Sequence, residues 1–166
     1  MFGIKLPGAA ADKAEQQRQA IERAKADCLK TLHEMEDASP DTAERLHKML
    51  KDRCGSDKQL PFDFKKALLE KAREHERHAN MRECDRLLHQ AARLAAEEHL
   101  TERAQKLGAG RRYFSKACTL GADEDFRRAA QRLMETIMLT GGVHKDGPSR
   151  AKPLDLAPKA PNRAKG

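Results

Sequence analysis

From Phe62 to Leu107 the sequence keeps one helical pattern, and that run sets what the rest of the chain can be. Apolar or small residues fall at Leu68, Ala72, His75 and Ala79, at Met81, Cys84, Leu88, Ala91, Ala92 and Ala95, and at Leu100, Ala104 and Leu107. Steps of three and four residues are helix spacing; strand alternation would have a period of two. Between these positions stand Lys65, Lys66, Glu70, Lys71, Glu74, Arg82, Glu83, Arg86, Arg93, Glu97 and Glu98, a face suited to water. A helix with one apolar stripe needs other helices to cover it, so the flanking segments are expected to pack on this one.

Composition narrows the class further. Of 166 residues, 36% are charged, 4% are aromatic and none is Trp. A core built from Leu, Ala, Met and a few Phe suits closely packed helices better than sheets. The length suits about one domain with its own core. The fold class expected is all-α.

Local signals divide the chain. Residues 1–11, with Gly3, Pro7, Gly8 and several alanines, read as a flexible lead. A first helix is predicted from Asp12 to Asp37, with Ile21, Ala24, Cys28, Leu32 and Met35 on one face. Ser39-Pro40 supplies an N-cap and a first-turn proline for a second helix over 40–53, ended by Gly55-Ser56. So short a turn predicts an antiparallel αα-hairpin. Pro61 suits the start of a third helix, 62–79. Asn80-Met81-Arg82-Glu83 has the N-cap to N3 spacing of a capping box. An unbroken helix of 46 residues would measure about 69 Å, too long for a compact domain, so a turn is expected at Asn80. A fourth helix then runs over 81–107, Gly108 and Gly110 end it, and a short fifth covers 111–120. Gly121 is placed as its C′ residue and Asp123 as the next N-cap. The sixth helix, 123–140, is the most apolar, and Thr140-Gly141-Gly142 closes a helical domain of residues 12–142. This is about six helices in antiparallel hairpins, a compact bundle or a short repeat array.

The remainder, 143–166, reads as a disordered basic C-terminal tail rich in Lys and Pro. It holds six basic residues against two acidic ones, +4 of the net +7, so the other 142 residues are nearly balanced. Nucleic acid is therefore the second partner class to weigh: the tail, with Arg111-Arg112 and Arg127-Arg128, offers positive charge to phosphates. Sparse aromatics and a near-neutral body favour a protein partner instead.

Chemistry is sought and mostly not found. Cys28, Cys54, Cys84 and Cys118 form no C-x-x-C pair, and their places in or beside apolar patterns predict buried free thiols. A turn at Asn80 would gather His75, His78 and Cys84, but their spacing matches no common zinc pattern. Glu44-Arg45-Leu46-His47 is the only Glu-x-x-His unit, and a helical di-iron site requires two. No nucleotide-binding glycine loop, haem motif or nucleophile elbow is present. No cofactor and no catalytic residue are expected. Arg111 and Arg112, after the Gly108–Gly110 stop, are candidate anion contacts at a helix start. The sixth helix carries apolar residues on more than one face, which makes Phe126, Leu133, Ile137, Met138 and Leu139 a candidate interface to a partner or a second copy.

Leu68, Ala72, His75, Ala79, Met81, Cys84, Leu88 and Ala91, and again Tyr113, Ala117, Leu120, Phe126, Ala129, Leu133 and Ile137, fall in a pattern that resembles the tetratricopeptide repeat. The resemblance implies two short helical hairpins that present a groove. The two units are 45 residues apart, against about 34 in that family, and both lack its usual glycine and closing proline. No binding residue carries over.

The first residues lack the apolar run of a signal peptide, and no segment approaches the ~20 apolar residues of a membrane span. Phe2, Ile4 and Leu6 are too few to anchor the chain. A cytoplasmic interaction module, acting as an adaptor, regulator or assembly factor, is the expected role.

Overall fold

The computed structural model describes residues 8–96 and 99–143. They form five helices: α1 Gly8–Glu34, α2 Pro40–Ser56, α3 Phe62–Ala96, α4 Leu100–Thr119 and α5 Glu124–Val143. The all-α class is as expected, and the number of helices is not. The tail over 144–166, the first seven residues of the lead with Phe2, Ile4 and Leu6, and the side chain of Ala95 lie outside the described residues. Gly8–Ala11, expected in a flexible lead, are the first turn of α1.

Where caps are local, the helix ends fall as predicted. Ser39 caps α2, its Oγ accepting from the Thr42 N–H at 3.4 Å, and Pro40 takes the first turn. The Lys65 N–H donates to Pro61 O at 3.0 Å to open α3. Gly121 has φ +91°, the left-handed conformation that glycine adopts at little cost, and it lets the Ala122 N–H reach back to Ala117 O at 2.9 Å. Asp123 Oδ1 then accepts from the Phe126 N–H at 2.7 Å and starts α5.

Four predicted breaks differ. Gly55 and Ser56 do not stop the second helix at 53; both lie within α2, which runs to Ser56. The chain does not turn at Asn80: α3 is one helix of 35 residues, about 52 Å long. Asn80 is buried, and its Nδ2 donates to Glu76 O one turn back at 2.8 Å. The side chain expected to cap a new helix is used inside an existing one. Gly108 and Gly110 do not stop a helix either; both lie within α4. Glycine costs a helix about 1 kcal/mol relative to alanine, and the packing of α4 on α3 outweighs it. Instead α3 ends at Ala96, and α4, starting at Leu100, packs back along it. Finally, Thr140-Gly141-Gly142 does not close α5, which continues to Val143.

The long α3 serves two cores. Its first half packs with α1 and α2 around Cys28, Met35, Ala43, Leu46, Leu50, Cys54, Leu60, Leu68, Ala72 and Ala79. Its second half gathers Cys84, Leu88, Ala91 and Ala92 with Ala130 and Ile137 of α5, flanked by Leu107, Tyr113 and Phe114 of α4. The first of the two repeat-like hairpins is thus absent, because α3 runs straight through it, whereas the residues of the second fall on α4 and α5. α4 approaches α3 closely at Gly110, where an added Cβ would lie 2.9 Å from Leu88 Cδ2.

Candidate functional site

The two cores meet midway along α3, and polar groups concentrate there. His47 of α2 and Glu76 of α3 are both largely buried, and Nδ1 of the imidazole bonds to Oε2 of the carboxylate. Glu76 is the residue whose carbonyl receives Asn80, so one turn of α3 holds both contacts. Asn80 Oδ1 is buried with no hydrogen-bond partner among the described residues. Lys116 of α4 crosses to Glu44 of α2 at 3.1 Å, tying the two halves together. The hydrogen bond and charge of Glu44 raise the Lys116 pKa.

Arginines of α3 secure the turns at both ends of this region. Arg82 Nη2 donates to the carbonyls of Glu36 and Ala38, at 3.2 and 3.4 Å, where the chain leaves α1. Arg73 donates to Leu120 O and Thr119 O, and Arg77 Nη1 to Gly121 O, at 3.3 to 3.4 Å, where it leaves α4. Helix C-termini present unpaired carbonyls and partial negative charge, which a guanidinium satisfies. Sequence reasoning placed Arg82 on a solvated face; it had no means of finding these partners, which lie 44 to 47 residues away along the chain.

Beside Arg82 a groove of about 460 Å³ opens between the α1–α2 turn, the middle of α3 and α4. Asp37, Ala38, Ser39, Pro40 and Asp41 form one wall, Ala79, Arg82, Glu83 and Arg86 the floor, and Tyr113 the other wall. Its arginines are committed: Arg82 to the carbonyls of Glu36 and Ala38 in the α1–α2 turn, and Arg86 to Glu83 through two contacts at 2.9 and 2.5 Å. The Arg86 hydrogen bond holds the Glu83 carboxyl below its ordinary range. Charges of both signs line the groove.

The residues singled out from sequence separate into three groups. Phe126, Leu133 and Ile137 belong to the second core, Phe126 stacking on Phe114 with centroids 6.1 Å apart. Met138 and Leu139 are 54% and 72% exposed, so of the five candidate interface residues only these two are uncovered among the described residues. Arg111 and Arg112 are exposed in the middle of α4, about three turns from its start; the free helix N–H groups expected beside them are elsewhere. Arg111 Nη2 lies 2.8 Å from Met138 Sδ, which places a charge beside the exposed apolar pair.

The straight α3 also separates His78 from Cys84 by about 9 Å of helical rise. The turn that would have gathered them with His75 does not form, and among the described residues no group of three or more His, Cys, Asp and Glu side chains is arranged to hold a metal ion. His89 Nδ1 lies 2.8 Å from Asp85 O and 3.3 Å from Asp85 Oδ1, the pairing expected at that spacing. Among the described residues no helix is long and apolar enough to cross a membrane. Comparison with family models, curated proteins and solved structures finds no match to this chain.

Proposed function

We propose that this chain is a cytoplasmic, non-catalytic protein–protein interaction module, an adaptor, regulator or assembly factor whose helices present a docking surface. The observation that carries the reading is the end of α5. Ile137 is buried, while the adjacent Met138 and Leu139 remain exposed beside the Arg111 guanidinium. Large apolar side chains next to each other and rimmed by charge are a common feature of docking surfaces. The long-range polar contacts support the same reading, since Arg73, Arg77, Arg82, Lys116 and His47 all hold helices to one another.

The test is capture of a binding partner from cell extract by the full-length protein and by a Met138→Glu, Leu139→Glu variant, each with and without nuclease. Both positions are exposed, so the variant is expected to keep its circular dichroism and melting curve. Partner recovery should fall at least tenfold in the variant and be indifferent to nuclease. Recovery that survives both substitutions but disappears with nuclease would replace this reading with phosphate binding by the basic residues. Light scattering on the same two proteins shows whether the partner is a second copy.

A further inference from the structure

The outward face of α5 carries a pattern that the core does not use. Phe126, Ala130, Leu133, Met134 and Ile137 pack inward in the second core. The opposite side of the helix holds Arg128, Arg132, Glu135 and Leu139, all exposed and separated by steps of three and four residues, so they form one stripe. Arg128 is paired with Glu124 one turn back at 3.0 Å. The side chains of Arg132 and Glu135 make no hydrogen bond or ion pair among the described residues. Leu139 ends the stripe, and Met138 flanks it beside Arg111. A stripe with an unpaired cation, an unpaired anion and an apolar end complements itself when its direction is reversed.

Resting on the reading of the α5 end as a docking surface, we propose that its occupant is a second copy of this chain, with α5 lying antiparallel to α5 of that copy. In a two-fold contact, a residue i that meets j implies that j also meets i. An axis midway between positions 132 and 135 sets Arg132 against Glu135 of the second copy, and Glu135 against its Arg132. One geometry thus pairs both free charges on each chain. The same register sets Leu139 against Arg128 of the second copy, whose aliphatic stem covers the leucine while its guanidinium stays with Glu124. The charges also fix the direction. A parallel, in-register pair would put arginine on arginine and glutamate on glutamate, and like charges facing each other suppress such an arrangement.

The size of the contact sets its strength. Facing 128 with 139 overlaps about 18 Å of helix on each copy. A single helix pair of that length buries less than the ~1,600 Å² of a standard stable interface, and exposed ion pairs add specificity and register more than affinity. The dimer is therefore weak and exchanges with monomer, with a dissociation constant on the order of 10–100 μM. Leu139 supplies the apolar part of the contact, and Arg132 with Glu135 decides which arrangement forms.

The test is sedimentation equilibrium of the full chain at low salt, across a concentration range that brackets this constant. The unaltered protein should pass from monomer to dimer. Arg132→Glu alone leaves carboxylates facing carboxylates across the axis, and Glu135→Arg alone leaves guanidinium facing guanidinium; each should weaken dimerisation by about fivefold or more. Mixed in equal amounts, the two variants place opposite charges at both contacts and should dimerise as tightly as the unaltered chain, a recovery that damage to folding could not produce. A chain that stays monomeric throughout, a dimer indifferent to both charge reversals, or a mixture no tighter than its components would each overturn the proposal. The docking reading is separable from this one: a monomeric chain that still loses a captured partner on Met138→Glu, Leu139→Glu keeps its docking surface and excludes a second copy as the occupant.

Discussion

Gly108 and Gly110 stand two residues apart on α4, and replacing each with alanine separates helix propensity from helix packing. Either replacement removes the backbone freedom of glycine and adds about 1 kcal/mol to the stability of α4. Around Gly108 a new Cβ meets nothing within 4 Å, so Gly108→Ala should show that gain in full and raise the melting temperature by about 2–4 °C. At Gly110 the same methyl would meet Leu88 Cδ2 at 2.9 Å, Leu88 Cγ at 3.3 Å and Leu87 Cβ at 3.6 Å. Leu88 is 1% exposed and has little room to retreat, so overpacking costs about 1–3 kcal/mol. Gly110→Ala should therefore be less stable than Gly108→Ala by about 1–3 kcal/mol, with the propensity gain common to both and cancelling. Urea unfolding followed by far-UV circular dichroism measures the difference. A Leu88→Ala background removes the obstructing atoms and should shrink the gap, the signature of two residues in contact. Equal stabilisation by both alanines would refute the close approach of α4 to α3 and, with it, the packing of the second core.

Three further outcomes check other parts of the structure. His47→Leu should cost about 3 kcal/mol, because Glu76 is left largely buried without its partner, and Glu76→Leu added to it should recover much of that loss; a fully additive pair of substitutions in urea titration would show that the two side chains do not interact. Asn80→Ala should change stability by less than about 1 kcal/mol, since an unpartnered buried oxygen and one hydrogen bond are lost together while helix propensity improves. A cap at that position would instead lose about 1 kcal/mol or more, so a clear loss in stability would restore the turn. For Cys84, a thiol that holds its proton to about 12 in the folded protein and ionises near its ordinary value of 9 when unfolded stabilises the fold fully below pH 9; that contribution declines as pH rises from 9 to 12, because the unfolded chain alone releases the proton. Melting curves over this range should show a decline that is smaller in Cys84→Ala than in the parent.

Several features of the fold were legible because their causes are local. Ser39-Pro40, Pro61, Gly121 and Asp123 act through backbone groups within a few residues, so the ends they set can be read without knowing what packs on them. The stripe of Leu68, Ala72, Ala79, Cys84, Leu88, Ala91 and Ala92 is likewise a matter of spacing, and all seven are buried. The candidate site was less legible. Phe126, Leu133 and Ile137 could not be separated from Met138 and Leu139 by sequence, because periodicity shows that a helix has apolar faces but not which of them a neighbour covers. Arg82, Arg73 and Arg77 carried no signal at all, since a guanidinium bound to a distant carbonyl looks the same in sequence as one in water.

By itself the sequence determined that this protein is helical, where most of its helices begin, and which positions on its central stretch turn inward. The tertiary structure alone decided that α3 passes unbroken through Asn80, that α4 tolerates two glycines, and that two cores share one helix. The physical reason is the size of the terms. A capping side chain or a glycine is worth about 1 kcal/mol locally, and a buried apolar side chain contributes about 1.5–3 kcal/mol. Where α2 and α4 close over α3, several such side chains are buried at once, and their sum overrides the local preference.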